Sequence, residues 1–144
     1  MTDPTGHGIY DTQQHVGPLA GLLRTGNWFL EDETELRQDV DSRLAFMDKF
    51  GIRQASVMPG NGYPVADGIE GTRRVNDYVL HYRNMRPDRL AACYGTVNPL
   101  EGVVALKEID RCIVGLGMSG MMWHHRCMGV VIDHAMMDEF VRRL

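Results

Sequence analysis

The segment Ile9–Pro18 reads IYDTQQHVGP, a short β-like run that ends in polar residues and then breaks into a Gly-Pro loop. If this segment is extended, Asp11, Gln13 and His15 point to one side of it, because successive side chains of a strand alternate. A carboxylate, an amide and an imidazole would then lie together at the end of a strand. Such a cluster suits a metal ion or a reacting group better than a hydrophobic core.

Strand-like and helix-like segments alternate along the rest of the chain. Hydrophobic periodicity and turn residues predict strands at 7–12, 52–58, 90–97 and 120–123, and helices at 31–50, 69–85, 100–114 and from 133 to the end. The residues predicted to face inward are Leu36, Val40, Leu44 and Met47, then Val75, Val79, Tyr82 and Met85, and then Val103, Leu106, Ile109 and Ile113. The last predicted helix carries the apolar residues Ala135, Met136, Phe140 and Val141. Four successive β-loop-α units imply a parallel sheet with right-handed crossovers.

The loops that follow the predicted strands favour a barrel. Polar, Gly and Pro residues gather after all four strands, at 13–18, 59–67, 98–99 and 124–129. A (β/α)8 barrel places its active site at this edge, whereas a doubly wound sheet uses the edge only at its switch point. The predicted fold is therefore α/β, the N-terminal half of a (β/α)8 TIM-type barrel. We expect one partial domain at 1–144, since a whole barrel takes about 250 residues.

Composition excludes several classes of protein. The chain has 144 residues, a net charge of -4 and no strongly basic segment, so a nucleic-acid-binding role is not indicated. It has no signal-peptide pattern and no apolar stretch near the ~20 residues that a membrane span needs. Three cysteines without a C-x-x-C spacing favour a reducing compartment. A cytoplasmic protein is the expectation.

The order of several short motifs resembles a known family. These motifs are 11–18, 44–59, 73–78 followed by Arg86-Pro87-Asp88-Arg89-Leu90, then Val97-Asn98-Pro99, and the Gly-x-x-Gly stretch Gly117–Gly120. Together they are similar to the N-terminal half of the amidohydrolase-related (amidohydrolase 2) family, which includes 2-amino-3-carboxymuconate-semialdehyde decarboxylase-like enzymes.

The resemblance implies a (β/α)8 barrel with one divalent metal, zinc in the first place and manganese as an alternative. His15 matches the second metal-ligand position of the strand-end pair, and Gln13 stands where the first metal-binding His is expected. A neutral amide oxygen is a poorer zinc ligand than an imidazole. Asp11 would then support the ligands from behind them. The remaining ligands of such a site would lie on strands beyond Leu144.

Other readings of these residues stay open. His15 is equally explained as a hydrogen-bonding residue at a strand end. Asn98 either contributes an amide to the pocket or belongs to an ordinary Asn-Pro turn. His125 and Arg126 either face the pocket mouth, where the guanidinium would bind a substrate carboxylate, or form a solvated loop. The sequence assigns no catalytic residue.

Three functions are consistent with these observations. The first is a metal-dependent hydrolase that cleaves a C–O or C–N bond of a small carboxylated substrate with metal-activated water. The second is a non-oxidative decarboxylase of the same family. The third is a metal-free binding protein or subunit, in which exposed sheet edges favour a homo-oligomer.

Overall fold

The computed structural model describes residues 8–16, 32–60, 67–123 and 129–144. Its elements are β1 (Ile9–Val16), α1 (Glu33–Lys49), β2 (Ile52–Pro59), α2 (Gly68–Met85), β3 (Leu90–Gly95), a 3-10 turn (Pro99–Glu101), α3 (Val103–Asp110), a π-helical turn (Arg111–Gly115), β4 (Gly120–Met121) and α4 (Met137–Arg142). None of the helices in these ranges is both long enough and apolar enough to cross a membrane.

The strands of the described ranges form one parallel sheet in the order β1-β2-β3-β4. Ile9 lies beside Ile52, Ala55 beside Leu90, and Tyr94 beside Gly120. A helix follows each of the first three strands and leads to the next. This confirms the predicted parallel α/β architecture, in which all strands direct their carboxyl ends to one edge.

The main core lies between the sheet and helices α1 and α2. Leu36, Val40, Leu44 and Met47 are buried, as the spacing along α1 predicts. They pack with the buried side of the sheet, which includes Val16, Val57 and Cys93, and with Val79 and Tyr82 of α2. Asp32 begins α1, and backbone hydrogen bonds from Thr34 and Glu35 hold the pKa of its carboxyl below the usual value.

The third helical segment differs from its prediction. Asn98 and Pro99 start a 3-10 turn, and Gly102 then takes a φ of 58°, so the α-helix begins anew at Val103. Val103 is the first residue after this restart, and it is 65% exposed although it was predicted to be inward. Leu106 and Ile109 are buried as expected.

The last two elements are shorter than predicted, and β1 extends further than predicted. Strand β4 covers Gly120–Met121, and α4 covers Met137–Arg142. In α4, Met137 and Phe140 are buried, whereas Val141 is 48% exposed. Strand β1 continues to Val16, since its polar end still pairs with β2.

Met47 provides a direct test of the α1 packing. Its side chain is fully buried, so Met47→Ala is expected to lower the free energy of unfolding by about 3 kcal/mol, through lost burial and a residual cavity. The neighbouring Phe46 is 56% exposed, and Phe46→Ala is expected to cost less than about 1 kcal/mol. Urea unfolding of the two variants measures the difference. Equal losses would contradict this assignment of the buried helix face.

Candidate functional site

The polar end of β1 presents its side chains to two different environments. Gln14 and Val16 are buried on the helix side, whereas Gln13 is exposed and His15 is half-buried. Gln13 and His15 lie close to each other, with 3.4 Å between Gln13 Nε2 and His15 Nε2. The expected alternation therefore places these two side chains together at the carboxyl edge of the sheet.

Asp11 does not join that pair, because β1 contains a bulge. Asp11 lies opposite Ala55 and Gln14 opposite Val57, so three steps along β1 match two along β2. Asp11 Oδ2 accepts a hydrogen bond from Gln14 Nε2 at 3.0 Å, and Asp11 Oδ1 accepts one from the backbone N–H of Gln13 at 3.1 Å. The carboxylate thus secures the bulge instead of sharing the side of the Gln13 and His15 side chains.

The imidazole of His15 has a defined tautomer when it is neutral. Its Nδ1 lies 2.6 Å from the carbonyl oxygen of Pro59 at the end of β2. A carbonyl can only accept, so Nδ1 carries the proton and Nε2 keeps its lone pair. Nε2 then accepts from the Gln13 amide. A His whose Nδ1–H is held by a backbone carbonyl and whose Nε2 is directed outward has the arrangement common to metal-bound and proton-transferring histidines.

These residues alone do not make a metal centre. Within 8–16, 32–60, 67–123 and 129–144, no group of three or more His, Cys, Asp or Glu side chains is placed to hold an ion. A catalytic metal takes about three protein ligands, and β1 offers one imidazole nitrogen and one neutral amide. The donor set at this edge is therefore incomplete for zinc or manganese.

The other predicted site residues fall elsewhere or outside the described ranges. Asn98 Oδ1 accepts a hydrogen bond from the backbone N–H of Leu100 at 3.1 Å, so its amide starts the 3-10 turn after β3. His125 and Arg126 lie outside the described residues.

Sequence reasoning missed a polar network behind the β1 end. Arg43 of α1 donates to the Tyr82 hydroxyl at 2.8 Å, to Gln14 Oε1 at 3.0 Å and to the backbone carbonyl of His15 at 2.9 Å. Tyr82 in turn donates to Asp39 at 2.6 Å. Burial raises the pKa of the Tyr82 hydroxyl above its ordinary value, against the opposing charge of Arg43.

A second buried network holds the chain that leaves β3. The amide of Asn76 donates to the carbonyl of Thr96 at 3.0 Å and accepts from the Thr96 N–H at 2.8 Å. The same amide donates to Glu108 at 2.8 Å, and Arg111 binds that carboxylate through two nitrogens, at 2.8 Å and 2.7 Å. Burial acts to raise the pKa of Glu108, but the hydrogen bonds from Arg111 and Asn76 outweigh it and leave the pKa below its usual value.

Both polar networks include a charged residue that stands within an apolar helix pattern of the sequence. Arg43 stands on the apolar stripe of α1 between Val40 and Leu44, and Glu108 stands between Leu106 and Ile109 in α3. A charged residue on a buried helix face needs partners, because an unpaired charge there is costly. The sequence pattern predicts that Arg43 and Glu108 have polar partners, but it does not predict which residues these are.

A shallow cleft lies at the opposite, amino-terminal edge of the sheet, between Asp48, Gly51, Ile52, Arg53 and Arg89. The Arg89 guanidinium there binds Asp48 at 2.7 Å and the carbonyls of Ile52 and Arg53. It joins α1 to β2 on the side away from His15.

The structure is similar to several solved structures of other proteins. A 5-carboxyvanillate decarboxylase from Novosphingobium aromaticivorans, solved with manganese and 3-methoxy-4-hydroxy-5-nitrobenzoic acid, has a TM-score of 0.72 and 23% identity, over 98% of this chain and 49% of that chain. A 2,6-dihydroxybenzoate decarboxylase from Rhizobium has a TM-score of 0.66 and 22% identity, over 94% and 46%. A Staphylococcus aureus protein provisionally described as an amidohydrolase has a TM-score of 0.71 and 22% identity, over 94% and 43%.

No family model matches the sequence, and no curated protein matches it. This chain spans about half the length of the solved structures to which it is similar. The two decarboxylases among them are enzymes that share its strand and helix order. At these identities the likeness establishes the fold. The described residues have the architecture of the N-terminal half of a (β/α)8 barrel.

Proposed function

We propose that this chain belongs to a (β/α)8 enzyme that removes the carboxyl group of a small carboxylated aromatic acid without oxidation. The observation that carries the proposal is His15, whose Nε2 lone pair is directed away from its Pro59 partner at the carboxyl edge of the sheet. Barrels with this strand order place their active site at that edge. The solved decarboxylases with the same half-barrel supply the substrate class.

The proposed reaction breaks the bond between the ring carbon and the carboxylate. Carbon dioxide leaves, and the electron pair of the broken bond takes up a proton at the ring carbon. A group that delivers this proton must lie within hydrogen-bond reach of the carbon. Protonated at both nitrogens, the His15 imidazole can donate from Nε2 while the Pro59 carbonyl keeps the ring in place. Gln13, 3.4 Å away, is positioned to hydrogen-bond the carboxylate or a ring hydroxyl.

A divalent metal is part of the proposal for the whole protein. Manganese is present in a solved decarboxylase of this fold, which favours manganese beside the zinc that the sequence resemblance implies. Because His15 Nε2 delivers the proton in this reaction, the ligands of such an ion would be other side chains. When bound, a metal would hold the substrate carboxylate or a ring oxygen.

Hydrolysis of a C–O or C–N bond is the second candidate function. It is favoured by the similarity to the Staphylococcus aureus protein, and it places His15 at the same edge. The two reactions differ in their use of water. A hydrolase transfers a solvent oxygen into its product, whereas a decarboxylase transfers a solvent hydrogen to a ring carbon.

The test is to incubate the purified protein, supplied with manganese or zinc, with 2,6-dihydroxybenzoate and 5-carboxyvanillate in heavy water. We expect loss of the acid, release of carbon dioxide and one deuterium on the ring carbon that carried the carboxylate. A parallel reaction with simple lactones and amides in oxygen-18 water follows solvent oxygen. Oxygen-18 in a product without ring deuteration would move the assignment to a hydrolase. No turnover in either assay would contradict both.

The cytoplasm is the compartment we propose. Cys93 and Cys112 are both buried and free in this structure, and burial raises the pKa of both thiols. Free thiols of this kind are typical of a reducing environment. We also propose a small-molecule partner and no nucleic acid, in keeping with the net charge of -4.

A further inference from the structure

The bulged end of β1 is held from behind by a side chain of the following helix. Arg43 lies in the middle of α1, and its side chain is 16% exposed. Its three nitrogens reach three acceptors on two elements: the Tyr82 hydroxyl on α2, and the Gln14 amide and the backbone carbonyl of His15 on β1. The guanidinium therefore fixes the main chain of the residue whose imidazole forms the candidate site.

The same network continues through the bulge to Gln13. Gln14 accepts from Arg43 and donates to Asp11 at 3.0 Å, and Asp11 accepts from the backbone N–H of Gln13. Arg43 and Asp11 thus hold the backbone at both ends of the segment that presents Gln13 and His15. A bulge adds a residue that the strand ladder cannot pair, so side-chain hydrogen bonds must define its shape.

The His15 imidazole depends on the backbone position that Arg43 and Asp11 hold. His15 Nδ1 lies 2.6 Å from the Pro59 carbonyl, a contact that tolerates little displacement of either strand. If the His15 backbone shifted by a few tenths of an ångström, the Nδ1–H bond would weaken and the other tautomer would become populated. The position of the imidazole is thereby coupled to the His15 backbone, whose carbonyl Arg43 binds.

We propose that Arg43 is a positioning residue for His15, which holds the bulged β1 end so that the imidazole keeps its Nδ1–H on Pro59 and presents Nε2 at the sheet edge. Its importance for turnover rests on the proposed function, whereas its effect on the tautomer does not. The bonding pattern requires an arginine. A lysine keeps the charge but ends in a single ammonium, which cannot reach three acceptors set in different directions.

The experiment compares three variants of the full chain by nitrogen-15 NMR of the histidine rings, at a pH of about 8.5 where an ordinary imidazole is neutral. Arg43→Lys removes the three-way contact, and Gln14→Met removes the Arg43 and Asp11 contacts with little change in volume. Arg37→Lys is the matched control, since Arg37 is on the same helix, 67% exposed, and bonded to Glu33. His15→Gln identifies the His15 resonances.

We expect well-separated protonated Nδ1 and unprotonated Nε2 resonances for His15 in the wild type and in Arg37→Lys. In Arg43→Lys and Gln14→Met the two are expected to move toward a common average, as both tautomers become populated. An unchanged His15 pattern in the two folded variants would overturn the proposal. If neither variant folds while Arg37→Lys does, Arg43 acts on stability alone and the proposal fails.

Failure of the proposed function would look different. If Arg43→Lys shifts the His15 tautomer but the wild-type protein shows no decarboxylation, the positioning role is supported and the proposed reaction is contradicted. Decarboxylation that is unaffected by Arg43→Lys, together with an unchanged tautomer, contradicts the positioning role and supports the reaction.

Discussion

Replacing Glu108 with alanine is expected to lower the free energy of unfolding by about 3 kcal/mol, the lower part of the range for breaking a buried ion pair. The carboxylate is fully buried and accepts from Arg111, Asn76 and Arg73. The loss is placed at the lower end because Arg111 is 31% exposed and keeps Asp77 as a second partner. Urea unfolding at neutral pH measures it. Glu139→Ala is the control, an exposed carboxylate paired with Arg143, with an expected loss below about 1 kcal/mol.

The contribution of Glu108 to the free energy of unfolding is expected to decrease as the pH falls. Its pKa is lower in the folded chain than the ordinary glutamate value of 4.5, because hydrogen bonds from Arg111 and Asn76 exceed the cost of burial. The stability from this group is therefore complete above that value and is lost as the pH falls toward the folded pKa. Glu108→Gln should show a smaller decrease in stability than the wild type between pH 6 and about pH 3. Equal decreases in the free energy of unfolding of Glu108→Gln and the wild type would contradict the lowered pKa of Glu108.

Replacing His15 with alanine is expected to lower kcat/KM for a carboxylated aromatic acid by at least about a hundredfold, the minimum for loss of a proton-transferring group. The same change should have little effect on folding. His15 is half-buried, and the variant loses one hydrogen bond to Pro59, which is worth about 1 kcal/mol. Loss of turnover in a protein that still unfolds cooperatively would therefore locate the chemistry at the β1 end.

His81→Ala is the matched control for that variant. His81 lies in α2, is 54% exposed and contacts Glu33, so its removal should leave turnover and stability nearly unchanged. Steady-state rates and urea midpoints are measured for both variants on the same substrate. A His15→Ala protein with kcat/KM within a few-fold of the wild type would place the reaction elsewhere in the molecule.

The fold was more predictable from the sequence than the details of its ends. The Leu36, Val40, Leu44 and Met47 stripe specifies both a helix and its buried face, since period and burial agree. The break at Gly102 is not evident from the sequence, because Gly102 lies within an otherwise helical pattern and only the 3-10 turn that Asn98 starts reveals its role. Local capping competed with periodicity there, and capping determined where α3 begins.

The candidate site was predictable only in part for a similar reason. Alternation in an extended strand placed Gln13 beside His15, but it also placed Asp11 with them. The bulge between Asp11 and Gln14 depends on pairing with Ala55 and Val57, which are distant in sequence. The partner of His15 is a backbone carbonyl of Pro59, and a carbonyl leaves no signature in a sequence.

The order of the strands has a consequence for how the chain reaches its native state. Every pairing in the described sheet joins a strand to the next one along the chain, from Ile9 with Ile52 to Tyr94 with Gly120. No strand has to wait for a later segment to be inserted between itself and its predecessor. Each loop closure spans one helix, and its entropic cost grows only slowly with loop length. A nascent chain leaving the ribosome can add one strand and one helix at a time to a growing edge.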